Sequence, residues 1–323
     1  MTALLVRASI LSAILVAGLA FPLLAPRAEQ RRFQMALFNS DDANYSDLGW
    51  LEPNQDQPPA PRHSVLAIPP PALFSDTVDG GWVEKYDDVP QAQWPTIDQQ
   101  VRTSAALLLQ QKPRDWTRID AVLIDEPYWG AAQDVDSSDP CSSAGDPGYR
   151  RMETTQRVLV NVAAVVRGLP NAEKTRFWVN FSEPEMRWMQ NRSCPVRFND
   201  WYMDVVSLDI YGRHFASIRH YYDDLLSRRP TPHQQLALIP GTYSQRAAGY
   251  SANEVRDRLQ GFFDYADSMN RSCSDRCPIW LVAGFWGEDF VRDGRAPLFA
   301  SPDSDPIRLK WHAQFQLPRW DAF

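Results

Sequence analysis

The segment Ile119-Asp-Ala-Val-Leu-Ile-Asp-Glu-Pro-Tyr-Trp129 gives the clearest indication of the fold. It places a short apolar run before two adjacent carboxylates, Asp125 and Glu126, and then a proline and two aromatic residues. Central strands of a parallel sheet are continuous apolar runs because both of their faces are covered. In barrels made of such strands, functional groups lie at the carboxyl ends. The segment therefore predicts a central strand whose end carries chemistry at Asp125 and Glu126.

Apolar runs of strand length alternate with stretches of helical periodicity along most of the chain. Such alternation is typical of parallel βαβ units. Strands are predicted over residues 33–38, 64–68, 119–125, 176–181, 204–210, 235–239 and 278–285. Helices are predicted over residues 97–111, 149–167, 218–227 and 252–268.

These elements predict the α/β class and the architecture of a (β/α)8 TIM-like barrel. A barrel needs one strand more than the seven predicted, and we expect it to be irregular or to lie between Asn39 and Pro95, among long amino-terminal loops. An open, doubly wound sheet is the alternative. No glycine-rich phosphate-binding turn follows the first strand, so the nucleotide-binding form of that sheet has little support.

Length and composition fit one domain of this kind. The chain has 323 residues, of which 44% are hydrophobic and 23% charged, so a sizeable core is available. A single barrel with insertions accounts for residues 29–323. The net charge is −7, and Lys and Arg form no run longer than a pair. A nucleic acid partner is therefore not expected.

Residues 1–28 have the pattern of a secretory leader. A positively charged start, Met1 to Arg7, precedes the apolar segment Ala8 to Phe21, and Gly18-Leu-Ala20 offers small residues for cleavage. The apolar run continues to Leu24, so an uncleaved membrane anchor, at the lower limit of a spanning length, is the alternative. Both interpretations predict export, to the periplasm or out of the cell, with membrane contact only through this segment.

The cysteines agree with export. There are four, and none lies in a metal-like pair with a nearby histidine. The favoured pairing is Cys273–Cys277 and Cys141–Cys194, one of three possible connectivities. Free thiols in a reducing compartment are the alternative, which the leader makes less attractive.

The strand ends resemble those of TIM-barrel glycoside hydrolases, in which the fourth strand ends in a carboxylate pair or Asn-Glu followed by Pro. The matching motif here is Asp125-Glu126-Pro127. Further matches are the strand ends Val179-Asn180, Asp209-Ile-Tyr211 and Phe285-Trp-Gly287. The resemblance covers residues 119 to 290 and implies hydrolysis of a glycosidic bond.

The chain departs from the family pattern in two places that matter for the chemistry. Asp125 stands where the family often has Asn. The segment Pro240-Gly-Thr-Tyr243 contains no Glu, whereas retaining members place their nucleophile after the corresponding strand.

Glycoside hydrolysis needs one carboxylic acid that protonates the leaving oxygen and a second carboxylate that acts as nucleophile or base. Glu126 is the candidate acid, because Asp125, Tyr128 and Trp129 beside it would raise its pKa by charge repulsion and desolvation. The alternative is that Asp125 or Glu126 caps the following loop or pairs with an arginine.

Several residues are candidates for the second carboxylate. Asp209 is the first choice, although a buried Asp that holds a neighbouring loop is an alternative. Glu183 is the second choice, but Ser182-Glu-Pro-Glu185 also has the pattern of a helix start, where acids are favoured. Glu288 and Asp289 follow the last strand, where a solvated loop is the simpler interpretation.

Aromatic and polar residues at the same strand ends would complete a sugar site, although each alone is more often core or rim. The predicted substrate-binding residues are Asp125, Tyr128, Trp129, Asn180, Tyr211, Tyr243, Trp286 and Glu288. The histidines show no metal-ligand spacing, and the proposed reaction requires neither a metal nor a cofactor.

The resemblance implies an exported glycoside hydrolase that cleaves a polysaccharide or glycoconjugate by carboxylate acid/base catalysis. Its partner would be an oligosaccharide or polysaccharide. Two alternatives stay open: a non-catalytic carbohydrate-binding barrel, which the missing Glu after residues 235–239 favours, and an assembly factor of an envelope polysaccharide system.

Overall fold

The computed structural model describes most of the predicted domain. The described residues are 33–38, 48–69, 81–129, 139–197, 200–210, 213–240, 243–245, 252–274, 276–285 and 295–297. The predicted leader, residues 1–28, lies outside them. Within the described part of the chain, no helix is both long enough and apolar enough to cross a membrane.

Eight parallel strands form one sheet in the order β1-β9-β7-β6-β5-β4-β3-β2. The seven predicted strands are all present to within one residue at each end, and Leu48–Leu51 supplies the eighth within the expected interval. The strands are β1 Gln34–Phe38, β2 Leu48–Leu51, β3 His63–Ile68, β4 Ile119–Asp125, β5 Arg176–Ser182, β6 Val205–Asp209, β7 Gln235–Ile239 and β9 Ile279–Phe285. A separate antiparallel pair is formed by β8 Tyr243–Gln245 and β10 Arg295–Pro297.

Among the described residues, six α-helices accompany the sheet. They are α1 Trp82–Asp87, α2 Trp94–Leu109, α3 Pro147–Arg167, α4 Glu183–Gln190, α5 Phe215–Ser227 and α6 Ala252–Asn270. The four predicted helices correspond to α2, α3, α5 and α6. Helix α1 lies in a segment predicted as loop, because six residues are too few to show a helical period. It is held by burial of Trp82, Val83 and Tyr86.

The sheet is curled so that one face encloses its own core. Trp178 on β5 lies 5.8 Å from Trp50 on β2 and 5.6 Å from Trp280 on β9, measured between ring centroids. Each partner is three strands away in the sheet, a separation of about 14 Å if the sheet were flat. The rings can meet only because the sheet bends around them.

The two edge strands, β1 and β2, are close to each other, with Cα atoms within 8 Å. At the amino ends of the strands, Gln34 Nε2 on β1 donates a 3.4 Å hydrogen bond to Asp120 Oδ2 on β4. No hydrogen-bonded pairing joins β1 to β2 among the described residues. The structure therefore has the strand order and curvature of the predicted barrel, as a curled eight-stranded sheet.

Both predicted disulfides are present. Cys141–Cys194 joins the segment before α3 to the segment after α4, with the Cα atoms 4.5 Å apart. Asn191 Nδ2 adds a hydrogen bond to the Cys141 carbonyl oxygen. Cys273–Cys277 closes a short loop between α6 and β9. The first bridge ties together two connections that leave the carboxyl ends of neighbouring strands.

Replacing the central indole tests the importance of the enclosed core. Trp178→Ala is expected to lower the free energy of unfolding by about 3–5 kcal/mol, because it leaves a large cavity in a packed interior. Urea unfolding followed by circular dichroism measures this loss. Trp201→Ala is the matched control, since Trp201 is 63% exposed. A loss no larger for Trp178 than for Trp201 would contradict the role of the ring cluster.

Candidate active site

A chain of hydrogen bonds crosses the carboxyl ends of β4, β5 and β6. Asn180 Nδ2 donates to Asp125 Oδ1 at 2.6 Å, and Ser207 Oγ donates to Asn180 Oδ1 at 2.6 Å. Trp178 Nε1 donates in turn to Ser207 Oγ at 2.7 Å. Asp125, Asn180 and Ser207 occupy paired positions on adjacent strands, so the sheet register itself brings them together. The chain fixes the orientation of the Asp125 carboxyl group.

Asn180 has a different role from the predicted one. Its side chain is fully buried, and both its amide nitrogen and its amide oxygen are hydrogen-bonded within the protein. Little hydrogen-bonding capacity is left for a sugar hydroxyl. We therefore assign Asn180 to positioning Asp125 rather than to contact with a ligand.

Glu126 leaves the strand in an unusual backbone conformation. Its φ angle is 43°, in the left-handed region, which costs a non-glycine residue about 1–2 kcal/mol. Its backbone N–H still donates to the Asn180 carbonyl oxygen at 2.9 Å, which anchors the turn to β5. The left-handed turn interrupts the regular alternation of the strand directly after Asp125. Such strain at a strand end is typical of functional sites.

The two adjacent carboxyl groups have raised pKa values. Burial raises the pKa of the Asp125 carboxyl, and the hydrogen bond from Asn180 opposes this rise. Burial, followed by the charge of Asp125, raises the pKa of Glu126 to about 7. Glu126 is therefore about half protonated at neutral pH, as a group that donates a proton in catalysis should be.

Glu185 is a fully buried carboxyl group that the sequence did not identify. Its Oε1 accepts hydrogen bonds from the backbone N–H groups of Tyr128 at 2.6 Å and Trp129 at 2.8 Å. Its Oε2 accepts from the N–H of Ser182 at 2.6 Å and from Ser182 Oγ at 2.9 Å. Glu185 thus caps α4 and also holds the turn that follows Glu126.

The ionisation of Glu185 is coupled to the same site. Burial raises its pKa to about 8; hydrogen bonds from Ser182 and Tyr128 oppose the rise, and the negative charge of Glu126 adds to it. The spacing of Ser182 and Glu185 is the capping-box pattern, Ser followed three residues later by Glu. The sequence offered this helix start as an alternative interpretation of the segment, but it gave no sign of the second set of hydrogen bonds, to the turn after β4.

The two candidates for the second carboxylate lie on neighbouring strand ends. Asp209 is the last residue of β6 and pairs in register with Ser182 of β5. Burial and then the charge of Asp209 raise the pKa of the Tyr222 hydroxyl on α5, so Asp209 lies near that helix. Glu183 is the first residue of α4 and forms a 2.8 Å ion pair with Arg213. The helix start that was the alternative interpretation of Ser182-Glu-Pro-Glu185 is present.

The two aromatic residues after Glu126, Tyr128 and Trp129, differ in their burial. Tyr128 is fully buried, stacks on Phe181 with ring centroids 6.1 Å apart, and shares a 3.2 Å hydroxyl contact with Tyr202. It was predicted to contact substrate, but its burial assigns it to packing. Trp129 is only partly buried and stacks on Trp188, with ring centroids 5.6 Å apart.

The remaining predicted substrate-binding residues are Tyr211, Tyr243, Trp286 and Glu288. Tyr211, Trp286 and Glu288 lie outside the described residues. Tyr243 begins strand β8, where its backbone pairs with Pro297, and its side chain lies outside the description. Among the described residues, no group of three or more His, Cys, Asp or Glu side chains is placed to hold a metal ion.

Comparison with known proteins finds similarity among solved structures only. No family model matches the chain, and no curated protein matches it. The Ignisphaera aggregans GH53 catalytic domain is similar at 10% identity and a TM-score of 0.39, over 69% of this chain and 62% of that one. A fungal β-1,4-galactanase is similar at 12% identity and a TM-score of 0.41, over 78% and 76% of the two chains.

Bacillus subtilis mannanase man26 is a third such structure, at 10% identity and a TM-score of 0.39, over 80% of this chain and 81% of that one. At such identities and TM-scores, function has to be argued from the residues of the chain itself.

Glu185→Gln tests the buried cap. The amide replaces one accepting oxygen by a donor that faces N–H groups, so the free energy of unfolding is expected to fall by about 1–3 kcal/mol. Glu183→Gln is the same change two residues away, at a partly exposed ion pair, where a loss below about 1 kcal/mol is expected. Chemical denaturation of both variants at one pH above 8, where the wild-type carboxylate is ionised, makes the comparison, and equal losses would contradict the assignment.

Proposed function

We propose that the chain is an exported glycoside hydrolase, built on a closed (β/α)8 barrel, that cleaves a polysaccharide or glycoconjugate. The observation that carries the proposal is the Asp125-Glu126 pair at the end of β4, in which burial and the charge of Asp125 raise the pKa of Glu126 to about 7. A carboxylic acid that is protonated near neutral pH and stands at the carboxyl end of a parallel strand is suited to general acid catalysis.

Each carboxyl group of the pair has its own role in this proposal. Glu126 protonates the glycosidic oxygen as the bond to the leaving sugar breaks. Asp125 positions and tunes Glu126: its charge disfavours ionisation of Glu126, and Asn180 holds it in place. The hydrogen bonds of Glu185 to the backbone of Tyr128 and Trp129 keep the turn that carries Glu126 rigid.

Asp209 is our first choice for the second carboxylate, and Glu183 is the alternative. Asp209 ends the strand next to β5, so it reaches the same edge of the sheet as Asp125 and Glu126. Glu183 is held by Arg213, which reduces its availability as a nucleophile or base. The substrate would be bound through the exposed part of Trp129 together with Tyr211, Tyr243, Trp286 and Glu288.

Export belongs to the same proposal. Residues 1–28 would direct the chain to the periplasm or out of the cell, as a cleaved signal peptide or as an anchor. The two disulfides are compatible with an oxidising compartment. A polysaccharide or glycoconjugate of the cell surface or its surroundings would be accessible there.

A non-catalytic carbohydrate-binding barrel is the second candidate function. It is favoured by the segment Pro240-Gly-Thr-Tyr243, which follows β7 without a carboxylate, and by the ion pair that occupies Glu183. Such a protein would bind oligosaccharides and release no product.

Glu126→Gln distinguishes these functions. The amide cannot donate the proton to the leaving oxygen, so turnover is expected to fall by a factor of about 100 or more. The circular dichroism spectrum and oligosaccharide affinity should be retained. Reducing-end release from a panel of polysaccharides is the assay. If the wild-type protein binds an oligosaccharide from the panel and cleaves none, the binding function replaces the hydrolase.

The pH dependence of kcat/KM tests the tuning of Glu126 by Asp125. The acid must be protonated, so activity should be present below pH about 7 and decline above it. Asp125→Asn removes the charge that raises the pKa of Glu126, so the alkaline limb should move to lower pH. A limb that stays in place, or moves to higher pH, would contradict the tuning role.

A further inference from the structure

A cavity of about 660 Å³ opens at the amino ends of the strands, at the end of the sheet opposite Asp125 and Glu126. The starts of β1, β5, β7 and β9 and the disulfide loop Cys273–Cys277 surround it. Three of its lining residues are arginines, namely Arg176, Arg271 and Arg276, and Gln34 and Gln235 also line it.

Arg176 is the innermost of these cations and is held in a fixed position. Its guanidinium group lies 4.7 Å from the ring centroid of Trp280, and its Nε donates to Gln235 Oε1 at 3.1 Å. Gln235 Nε2 in turn donates to the Cys277 carbonyl oxygen at 2.7 Å, which fixes the amide so that its oxygen faces Arg176. The side chain is therefore positioned before any ligand arrives.

The terminal amino groups of Arg176 have no hydrogen-bond partner among the described residues. Arg carries five N–H donors and has no acceptor, so the terminal amino groups of this partly buried side chain can still donate to an oxygen ligand. Because Arg176 lines the cavity, these donors are available to a ligand there. An acceptor with two oxygens would match the planar fork of the guanidinium group.

The local charges leave this cation incompletely balanced. Asp120 lies 2.6 Å from His63 Nδ1 and also accepts from Gln34, and Asp204 accepts from the Phe177 N–H and from Arg167. Asp120 and Asp204, the two acids whose charge acts on Arg176, thus also accept hydrogen bonds from other groups. Burial lowers the pKa of Arg176; the negative charge of Asp120 opposes that effect, and the positive charge of Arg276 adds to it.

Arg276 is placed at the cavity by a strained turn. Its φ angle is 43°, so an arginine occupies a left-handed position in the disulfide loop, where glycine would be less strained. Two like charges then line one cavity, an arrangement that becomes favourable when an anion lies between them.

We propose that this basal pocket binds an oxyanion of the phosphate or sulfate type, with the partly buried Arg176 as the anchor and Arg276 at the rim. The cavity is larger than one such ion and lies within the size range of small-molecule sites, about 300–1,000 Å³. It therefore accommodates either the free ion or a sugar that carries the group as an ester. The site is independent of the proposed hydrolysis, because it uses none of the residues assigned to that reaction.

The test is isothermal titration calorimetry of the complete, disulfide-bonded protein at constant ionic strength. The probes are inorganic phosphate, sulfate, glucose 6-phosphate and glucose as the uncharged control. Saturable binding of at least one oxyanion is expected. Arg176→Gln and Arg276→Gln should each weaken it by about tenfold or more, the loss expected for a charge-assisted hydrogen-bond pair. Tighter binding of glucose 6-phosphate than of phosphate would identify the ester as the source, and equal binding the free ion.

Arg192→Gln is the matched control, because Arg192 is an exposed arginine outside the pocket. Its affinity for the oxyanion should equal that of the wild type. If Arg176→Gln does not fold, as judged by circular dichroism, Arg276→Gln at the rim carries the test. Absence of saturable binding, or affinity that neither pocket variant changes, overturns the proposal. Neither result bears on hydrolysis, which Glu126→Gln tests separately.

Discussion

The Trp178 indole is the contact on which the rest of the structure depends. It fills the space inside the curled sheet, where it meets Trp50 and Trp280 from strands three places away on either side. A buried indole N–H needs an acceptor, and Ser207 Oγ provides it at 2.7 Å. The same ring therefore fixes the curvature of the sheet through packing and begins the polar chain that ends at Asp125. The curvature of the sheet and the position of Asp125 therefore both depend on Trp178.

The perturbed acids follow from this arrangement. Asp125 stands at the end of a strand whose inward side chains, Ala121 and Leu123, are packed beneath it. Burial disfavours ionisation of both carboxyl groups, and the adjacent charge of Asp125 adds to the effect on Glu126. Glu185 meets the same cost of burial and offsets it with four hydrogen bonds. Burial of the Asp125-Glu126 pair thus lowers the stability of the fold, and it leaves Glu126 able to carry a proton near neutral pH.

The sequence predicted the elements well and the roles of individual side chains less well, for a physical reason. A central strand is buried on both faces, so it needs an apolar run such as Ala121–Ile124. The residues of such a run are adjacent in the sequence, so the strand can be recognised from the sequence alone. Strand Leu48–Leu51 was missed as an element because four residues containing Gly49 do not make such a run. Asn180 was placed correctly at a strand end, but its function depends on neighbours on β4 and β6 that are distant in sequence. Glu185 was missed as a residue of the site because a capping acid is ordinarily exposed, whereas here the turn after β4 packs against it.

The inward side chains of β5 show how one strand can serve both ends of the sheet. Arg176, Trp178 and Asn180 follow each other at alternate positions, so a cation at the base and an amide at the carboxyl end are separated by an indole. Four residues of strand place them about 13 Å apart. A unit charge at that distance contributes about 1.3 kcal/mol at an effective dielectric constant of about 20, or about one unit of pKa. The cation at the base therefore cannot cancel the rise in the pKa of Glu126 to about 7 that burial and the charge of Asp125 cause.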